Sequence, residues 1–383
     1  MKRWSKEFKK EKMTKNDKVI KKHLIDYDGT GILINITIGT PGQKFFVIPD
    51  TGSSYLWVPD LSCEAYTSPS CPFYCLHNVY CSLLCKSECC SSIVKSDMFG
   101  CIRNHKYNAS ASSTYHPMGG KFFVKYGCGE AEGLYGVDNL TLLGIKKNLS
   151  IPMVIFGRVK KMCPSLSHFP IDGVLGLGFR DLTKERFLPP IMEAIQKNLF
   201  DKPIFTIYLR HKQTKRKGEN IVGLITFGDF DNENCDSNVS YVSLSKAAYW
   251  QFQIESVEFG GIKINKKMEA IVDSGSQLIE GPKEIIENFV KESGGWEDPD
   301  GHYNVPCDTA IPDMKIGING KMYTVPYKYF VIKDINGKCS LAFGGAHTNL
   351  NIYWILGEPF MHAYCQVYDV GKIRIGFSKP LKN

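Results

Sequence analysis

A chain of 383 residues with 43% hydrophobic and 22% charged side chains can bury two cores of ordinary domain size. None of its apolar runs approaches the 18 or more residues that a membrane-spanning helix needs. The formal charge of +8 is concentrated at one end: residues 1–23 hold ten Lys/Arg against Glu7, Glu11 and Asp17, a net +7 that leaves about +1 for the rest, so nucleic acid is a poor partner for the body of the protein.

The basic segment 1–23 is polar, with some helical tendency and no caps-and-core pattern; its other readings are polyanion contact or a solvated tail. From Gly29 the texture becomes short strands with turn punctuation. Ile32–Ile38 leads into the turn Gly39-Thr40-Pro41-Gly42, then Lys44–Pro49 runs into Asp50, and Trp57-Val58-Pro59 closes the unit. Alternating β-branched and aromatic residues broken by Gly and Pro predict a mostly β protein.

Residues 61–104 interrupt that texture. Eight of the 14 cysteines fall between Cys63 and Cys101, with few apolar residues among them, which predicts a disulfide-stapled surface insertion. Eight cysteines in four bridges allow 105 pairings, and spacing does not choose among them. Zinc on Cys71, Cys75, Cys81, Cys85 and Cys89 is the competing reading, but metal ligands usually come in tighter pairs, so no metal or cofactor is assigned. Five Asn-x-Ser/Thr sequons, at Asn35, Asn108, Asn139, Asn148 and Asn238, join the cysteines in favouring an oxidising, secretory compartment. The stretch beginning Met1-Lys2-Arg3-Trp4 has no apolar signal core.

Lys121–Lys125, the tip Tyr126-Gly127-Cys128-Gly129 and Glu132–Leu142 predict a hairpin. Ile171–Gly178 is a glycine-broken apolar strand, Leu188–Leu199 a short amphipathic helix, and Lys212–Lys217 a loop between two halves. Strands are expected at Trp250–Ile254 and Ala270–Val272, and a helix at Lys283–Glu292 after Gly281-Pro282. Trp354-Ile355-Leu356-Gly357 answers Val174-Leu175-Gly176, so each half carries an acid turn followed by an apolar-apolar-Gly strand: a diverged internal duplication.

The two acid turns are Asp50-Thr51-Gly52-Ser53 and Asp273-Ser274-Gly275-Ser276, each preceded by an apolar run. Two carboxylates brought together from separate lobes cannot both ionise easily, so one keeps a proton and the pair titrates as a unit. A water between them can lose a proton to the anionic acid while the protonated one serves the developing oxyanion. Gly-x-Ser-x-Gly, His-Glu-x-x-His, a phosphate loop and a dinucleotide glycine motif are all absent. A glycosidase could use two carboxylates but has no need of this matched turn.

Asp50-Thr51-Gly52-Ser53-Ser54, Tyr126-Gly127, Asp172-Gly173-Val174-Leu175-Gly176, Asp273-Ser274-Gly275-Ser276 and Trp354-Ile355-Leu356-Gly357 together resemble the pepsin-like (A1) aspartic proteases over residues 28–379. Pro49, Tyr364-Cys365 and the Cys-rich insertion are most similar to nematode secreted or digestive members. The resemblance implies a bilobal fold with a cleft for an extended peptide: an N-terminal lobe at 24–209, with the insertion at 61–104 and a flap at 121–142, and a C-terminal lobe at 210–383. It makes Asp50 and Asp273 catalytic and gives Thr51 and Ser274 a cross-bracing role. Gly52 and Gly275 let the backbone pass the acids, and Ser53 and Ser276 would hydrogen-bond the outer acid oxygens. Tyr126 and Gly127 in the flap, Trp57 beside the Tyr126 hydroxyl, and Phe156 in an apolar pocket would bind substrate. Residues 1–23 become a Lys-rich propeptide, one of whose lysines would lie across the acids. Cys307–Cys339 corresponds to a second-lobe disulfide of the family. Cys63–Cys101, Cys128–Cys163 and Cys235–Cys365 are the further expected bridges.

The implied activity is acid-pH hydrolysis of protein or peptide substrates by a monomer, without cofactor, in a secreted or lysosomal/digestive lumen. Gln277 stands where the family has Ser or Thr, and Cys128 and Glu130 occupy flap positions usually held by small polar residues. These departures favour one alternative, a catalytically silent fold used for binding or inhibition; a third reading makes the Cys-rich insertion itself the functional module.

Overall fold

Strands dominate the computed structural model, which describes residues 18–26, 31–63, 101, 104–126, 129–162, 171–210, 220–299, 301–334, 337–345 and 353–381. The first half is built from β1 (Ile20–Asp26), β2 (Ile32–Ile38), β3 (Gln43–Asp50), β4 (Leu56–Pro59), β5 (His116–Tyr126), β6 (Gly129–Leu143), β7 (Asn148–Met162) and β8 (Gly173–Gly176). The crossing segment supplies β9 (Ile204–Leu209) and β10 (Ile221–Phe227). β2 and β3 bury alternate side chains, as strands with one face on a core must. β1 starts at Ile20, inside the basic segment, with Ile20 and Leu24 in the core. Residues 20–23 are therefore strand, contrary to the helical tendency read there: their alternation of buried and open side chains fits the pleat of a strand paired with β10.

Each acid turn rises from the same local arrangement. β3 runs parallel to β8, with Asp50 paired to Gly176, and β4 returns antiparallel along the other side of β8. In the second half Met268–Val272 runs parallel to Trp354–Leu356, and Ile279–Gly281 returns antiparallel along that strand's other side. The duplication read from the sequence is thus a duplication of strand topology around each acid.

The halves share structure. One 13-stranded sheet runs from Ser240–Ser243 through Arg374–Ser378, Cys365–Asp369, β9, β10 and β1 into the sheet of the first half. One continuous hydrophobic cluster extends through both, and Trp250 donates its indole N–H to the Leu177 carbonyl at 2.9 Å across the junction. Burying each such large side chain stabilises the fold by about 1.5–3 kcal/mol. A satellite cluster of Trp57, Phe122, Ala131, Tyr135, Val159, Met162 and Val174 lies under the flap, with the Cys63–Cys101 disulfide packed into it.

The helix Lys283–Glu292 has the predicted bounds, and Pro190–Gln196 lies within the predicted Leu188–Leu199. That second helix is shorter than expected because Pro190 opens it and Asn198, in the left-handed region at φ 54°, cannot continue it. The predicted loop Lys212–Lys217 and the cysteines from Cys71 to Cys90 lie outside the described residues.

Candidate active site

Asp50 ends β3 and Asp273 follows Met268–Val272, so each acid leaves the tip of a strand anchored by core side chains, Phe45 and Val47 in one and Ala270 and Val272 in the other. The two turns brace each other. The Thr51 N–H donates to Ser274 Oγ at 3.0 Å, and the Ser274 N–H donates to Thr51 Oγ1 at 2.9 Å. Each hydroxyl then donates onward across the junction, Thr51 Oγ1 to the Val272 carbonyl at 2.9 Å and Ser274 Oγ to the Pro49 carbonyl at 2.6 Å. All four groups are buried, where an unmade hydrogen bond costs about 1–3 kcal/mol. This network fixes the separation of the acids.

Glycine is required for the same reason. A Cβ on Gly52 would lie 2.4 Å from Asp273 Oδ2, and one on Gly275 would lie 2.6 Å from Asp50 Oδ1. Each turn's backbone therefore presses against the opposite turn's carboxylate.

The acids face each other closely enough to interact directly and differ in their surroundings. Asp50 is 7% exposed. Burial pushes its carboxyl up, while hydrogen bonds from Ser53 Oγ, Asp273 and the Gly52 N–H at 2.8 Å pull it back. Asp273 is pushed well above the ordinary carboxylate range, first by burial and then by the charge of Asp50. The Gly275 N–H at 2.8 Å opposes this, and Glu280 adds to it. Asp273 is the better proton holder and Asp50 the better anion. The pair titrates as one unit.

Trp57 donates its indole N–H to the Tyr126 hydroxyl at 2.8 Å, and the two rings lie 6.5 Å apart. Tyr126 ends β5 and pairs with Gly129, so it sits at the flap's last described position before the tip. Gly127 and Cys128, and with them the proposed Cys128–Cys163 bridge, lie outside the described residues. The structure joins Cys63 to Cys101, Cys235 to Cys365 and Cys307 to Cys339.

Two expectations need correction. Ser276 does not mirror Ser53: its Oγ donates to Glu280 Oε1 at 2.9 Å and accepts the Leu278 N–H at 3.2 Å. Phe156 is 1% exposed and packs edge-on against Tyr107 in the main core, so it offers no pocket surface; its neighbour Ile155, on the other face of β7, joins the cluster under the flap. Strand alternation moved the side chain away. Of the lysines in the basic segment only Lys18, Lys21 and Lys22 are described, and they bond elsewhere; its other lysines, and with them the expectation that one lies across the acids, lie outside the described residues. Lys18 donates to the Asn198 carbonyl, Lys21 pairs with Glu233, and buried Lys22 donates to Asn35 Oδ1 and the Leu143 carbonyl.

Two residues near the acids were not singled out from sequence. Glu280 carried no signal beyond its place four residues after Ser276. Tyr249 has its phenol pushed up by burial and then by the charges of Asp273 and Asp50, and it could have been noticed only as an aromatic beside the Trp250 strand.

Residues 32–380 match the model of the eukaryotic aspartyl protease family. The chain belongs to that family. Among its relatives, Aspartic protease 10 of Caenorhabditis elegans is 33% identical over 94% of this chain and 85% of its own length. Aspartic protease 2 of Necator americanus is 33% identical over 96% and 87%, and Pepsin A of Bos taurus is 30% identical over 93% and 86%. This aspartic protease is thus a pepsin-like hydrolase with nematode proteins among its relatives, and its mostly β, duplicated architecture is that of the family. Among the described residues no helix is long and apolar enough to cross a membrane.

Proposed function

We propose that this protein is an active endopeptidase that cuts internal peptide bonds at acidic pH, using a water held between Asp50 and Asp273. The observation that carries this reading is the pair of cross-braced, facing carboxylates with unequal surroundings. Asp50, supported by Ser53 and Gly52, takes a proton from the water as it attacks the scissile carbonyl carbon. Asp273 gives its proton to the carbonyl oxygen, yielding a neutral tetrahedral diol. Asp50 then gives its proton to the departing nitrogen while Asp273 takes one back from the diol, so the C–N bond breaks to leave a carboxylic acid and an amine and the pair returns to its starting protonation. The pepsin pair is the standard example of two carboxylates sharing a proton; the assignment of roles here comes from the neighbours of each acid. Tyr126, held by Trp57, closes over an extended peptide, and the protein acts as a monomer on protein substrates in an acidic secretory or digestive lumen.

Digestion of unfolded haemoglobin at acid pH tests this, with and without a statine-type inhibitor. Inhibitor-sensitive cleavage is expected from the oxidised protein with β1 intact. Asp50→Asn and Asp273→Asn should each lose activity by about 10³-fold or more, since each removes one half of an acid–base pair. Wild-type protein without acid-pH cleavage, or an Asp50→Asn variant that retains it, would overturn the assignment.

A further inference from the structure

The Ser276 hydroxyl has left Asp273 for a third carboxylate. Ser53 Oγ donates to Asp50, but the equivalent oxygen of the second turn is committed to Glu280 Oε1 at 2.9 Å and to the Leu278 N–H at 3.2 Å. Glu280 is placed by Ile279–Gly281, the strand that returns alongside Trp354–Leu356. Its neighbours in the sheet, Phe343–Gly345 and Trp354–Leu356, carry no titratable side chain. On the two helices packed against this strand, the charged groups nearest it are bonded to other residues or point to solvent, Glu284 being exposed. Lys283 pairs with Glu287 at 3.7 Å, and Glu358, whose N–H donates to the Ser276 carbonyl, lies 3.9 Å from buried His362. Among the described residues no cation pairs with Glu280. The Glu280 charge adds, after burial and Asp50, to what holds the Asp273 carboxyl up.

We propose that Glu280 is a positioning residue for the acid pair: it captures the Ser276 hydroxyl and, once ionised, makes Asp273 keep the shared proton to a higher pH. Two effects act in the same direction. Without a serine donor the Asp273 anion loses a stabilising hydrogen bond, and a nearby carboxylate disfavours a further negative charge. Burial holds the Glu280 carboxyl up, with the Ser276 hydrogen bond opposing, so in strong acid Glu280 is neutral and its influence appears only as pH rises. The consequence is a working range extended toward neutral pH.

This inference rests on the peptidase reading for its kinetic consequence but not for its physical test. In the pH–kcat/KM profile, Glu280→Gln should move the high-pH limb toward acid by about half a pH unit or more. Glu280→Thr, which also frees Ser276, should move it further. The second measurement needs no turnover: the thermal midpoint followed from acid to neutral pH in wild type, Glu280→Gln, Asp273→Asn and the double variant. Glu280→Gln should flatten the fall in midpoint in both backgrounds, because burial raises its own carboxyl, and should flatten it more in the wild-type than in the Asp273→Asn background. Equal flattening in both backgrounds, or an unmoved high-pH limb in an active enzyme, overturns the proposal. An inactive wild type whose midpoints still show the coupling overturns the peptidase reading alone.

Discussion

Gly52 and Gly275 stand against each other's acids, and the closeness that makes the carboxylates share a proton leaves no room for a methyl group at either position. Gly52→Ala and Gly275→Ala should each cost about 2–4 kcal/mol of stability, as core overpacking does when backbone has to shift, and should depress activity far more than stability. Urea unfolding alongside peptide turnover measures both; full activity in either variant would show that the acids have slack the packing does not suggest. The raised carboxyls also fix the sign of the pH dependence. In the unfolded chain Asp273 ionises in the ordinary range, whereas in the folded protein it holds its proton to higher pH. Its contribution is fully present below the unfolded value and is lost as pH rises through the folded one. Wild type should therefore lose thermal stability on going from acid toward neutral pH, and Asp273→Asn, a neutral isostere of the protonated acid, should lose less. Calorimetry across that range decides it, and a wild-type midpoint that rises toward neutral pH would contradict the protonation state assigned to Asp273.

At the scale of elements, the cross-brace between the turns is where a single hydroxyl holds two halves together. Thr51→Val keeps the shape, strips Ser274 of its acceptor and leaves the Val272 carbonyl without its donor. About 2–4 kcal/mol should be lost for two buried groups left unpaired, with Thr51→Ser restoring most of it; a Thr51→Val protein as stable as wild type would mean that the turns are held by packing alone. These elements were legible in the sequence because an acid turn needs a particular residue order: an apolar strand, an acid, a hydroxyl and a glycine. Strands with one open face were legible too, since β2 alternates visibly. The strand Cys365–Asp369 was not: it is buried along its whole length and contains Gln366 and Asp369, so neither alternation nor a continuous apolar run announces it. Ser276 misled for a related reason. Its place in the turn matches Ser53, and only the fold shows that Glu280 comes back to meet it. Phe156 failed by one step of strand alternation, which a motif cannot reveal without the neighbouring strand.

At the scale of the whole molecule, the two halves are continuous through β9, which lies between β10 and Cys365–Asp369 in the shared sheet. The Cys235–Cys365 disulfide is packed against that sheet, in a buried cluster with Tyr208 of β9 and Leu224 of β10. Its cysteines are 130 residues apart in sequence, against 38 for Cys63–Cys101 and 32 for Cys307–Cys339. In the chain-entropy account a bridge closing a loop of that size restricts the unfolded chain most, by about 4–5 kcal/mol, against about 3–4 kcal/mol for the shorter loops. The pairwise variant Cys235→Ser/Cys365→Ser should therefore lower the unfolding midpoint more than Cys307→Ser/Cys339→Ser, measured under non-reducing conditions. Because the strands on either side of the bridge link the halves, the loss should reach the acid pair as well, and inhibitor binding should weaken together with stability. If the Cys307–Cys339 variant proves the less stable of the two, loop length does not set the ranking, and local packing around each bridge outweighs restriction of the unfolded chain.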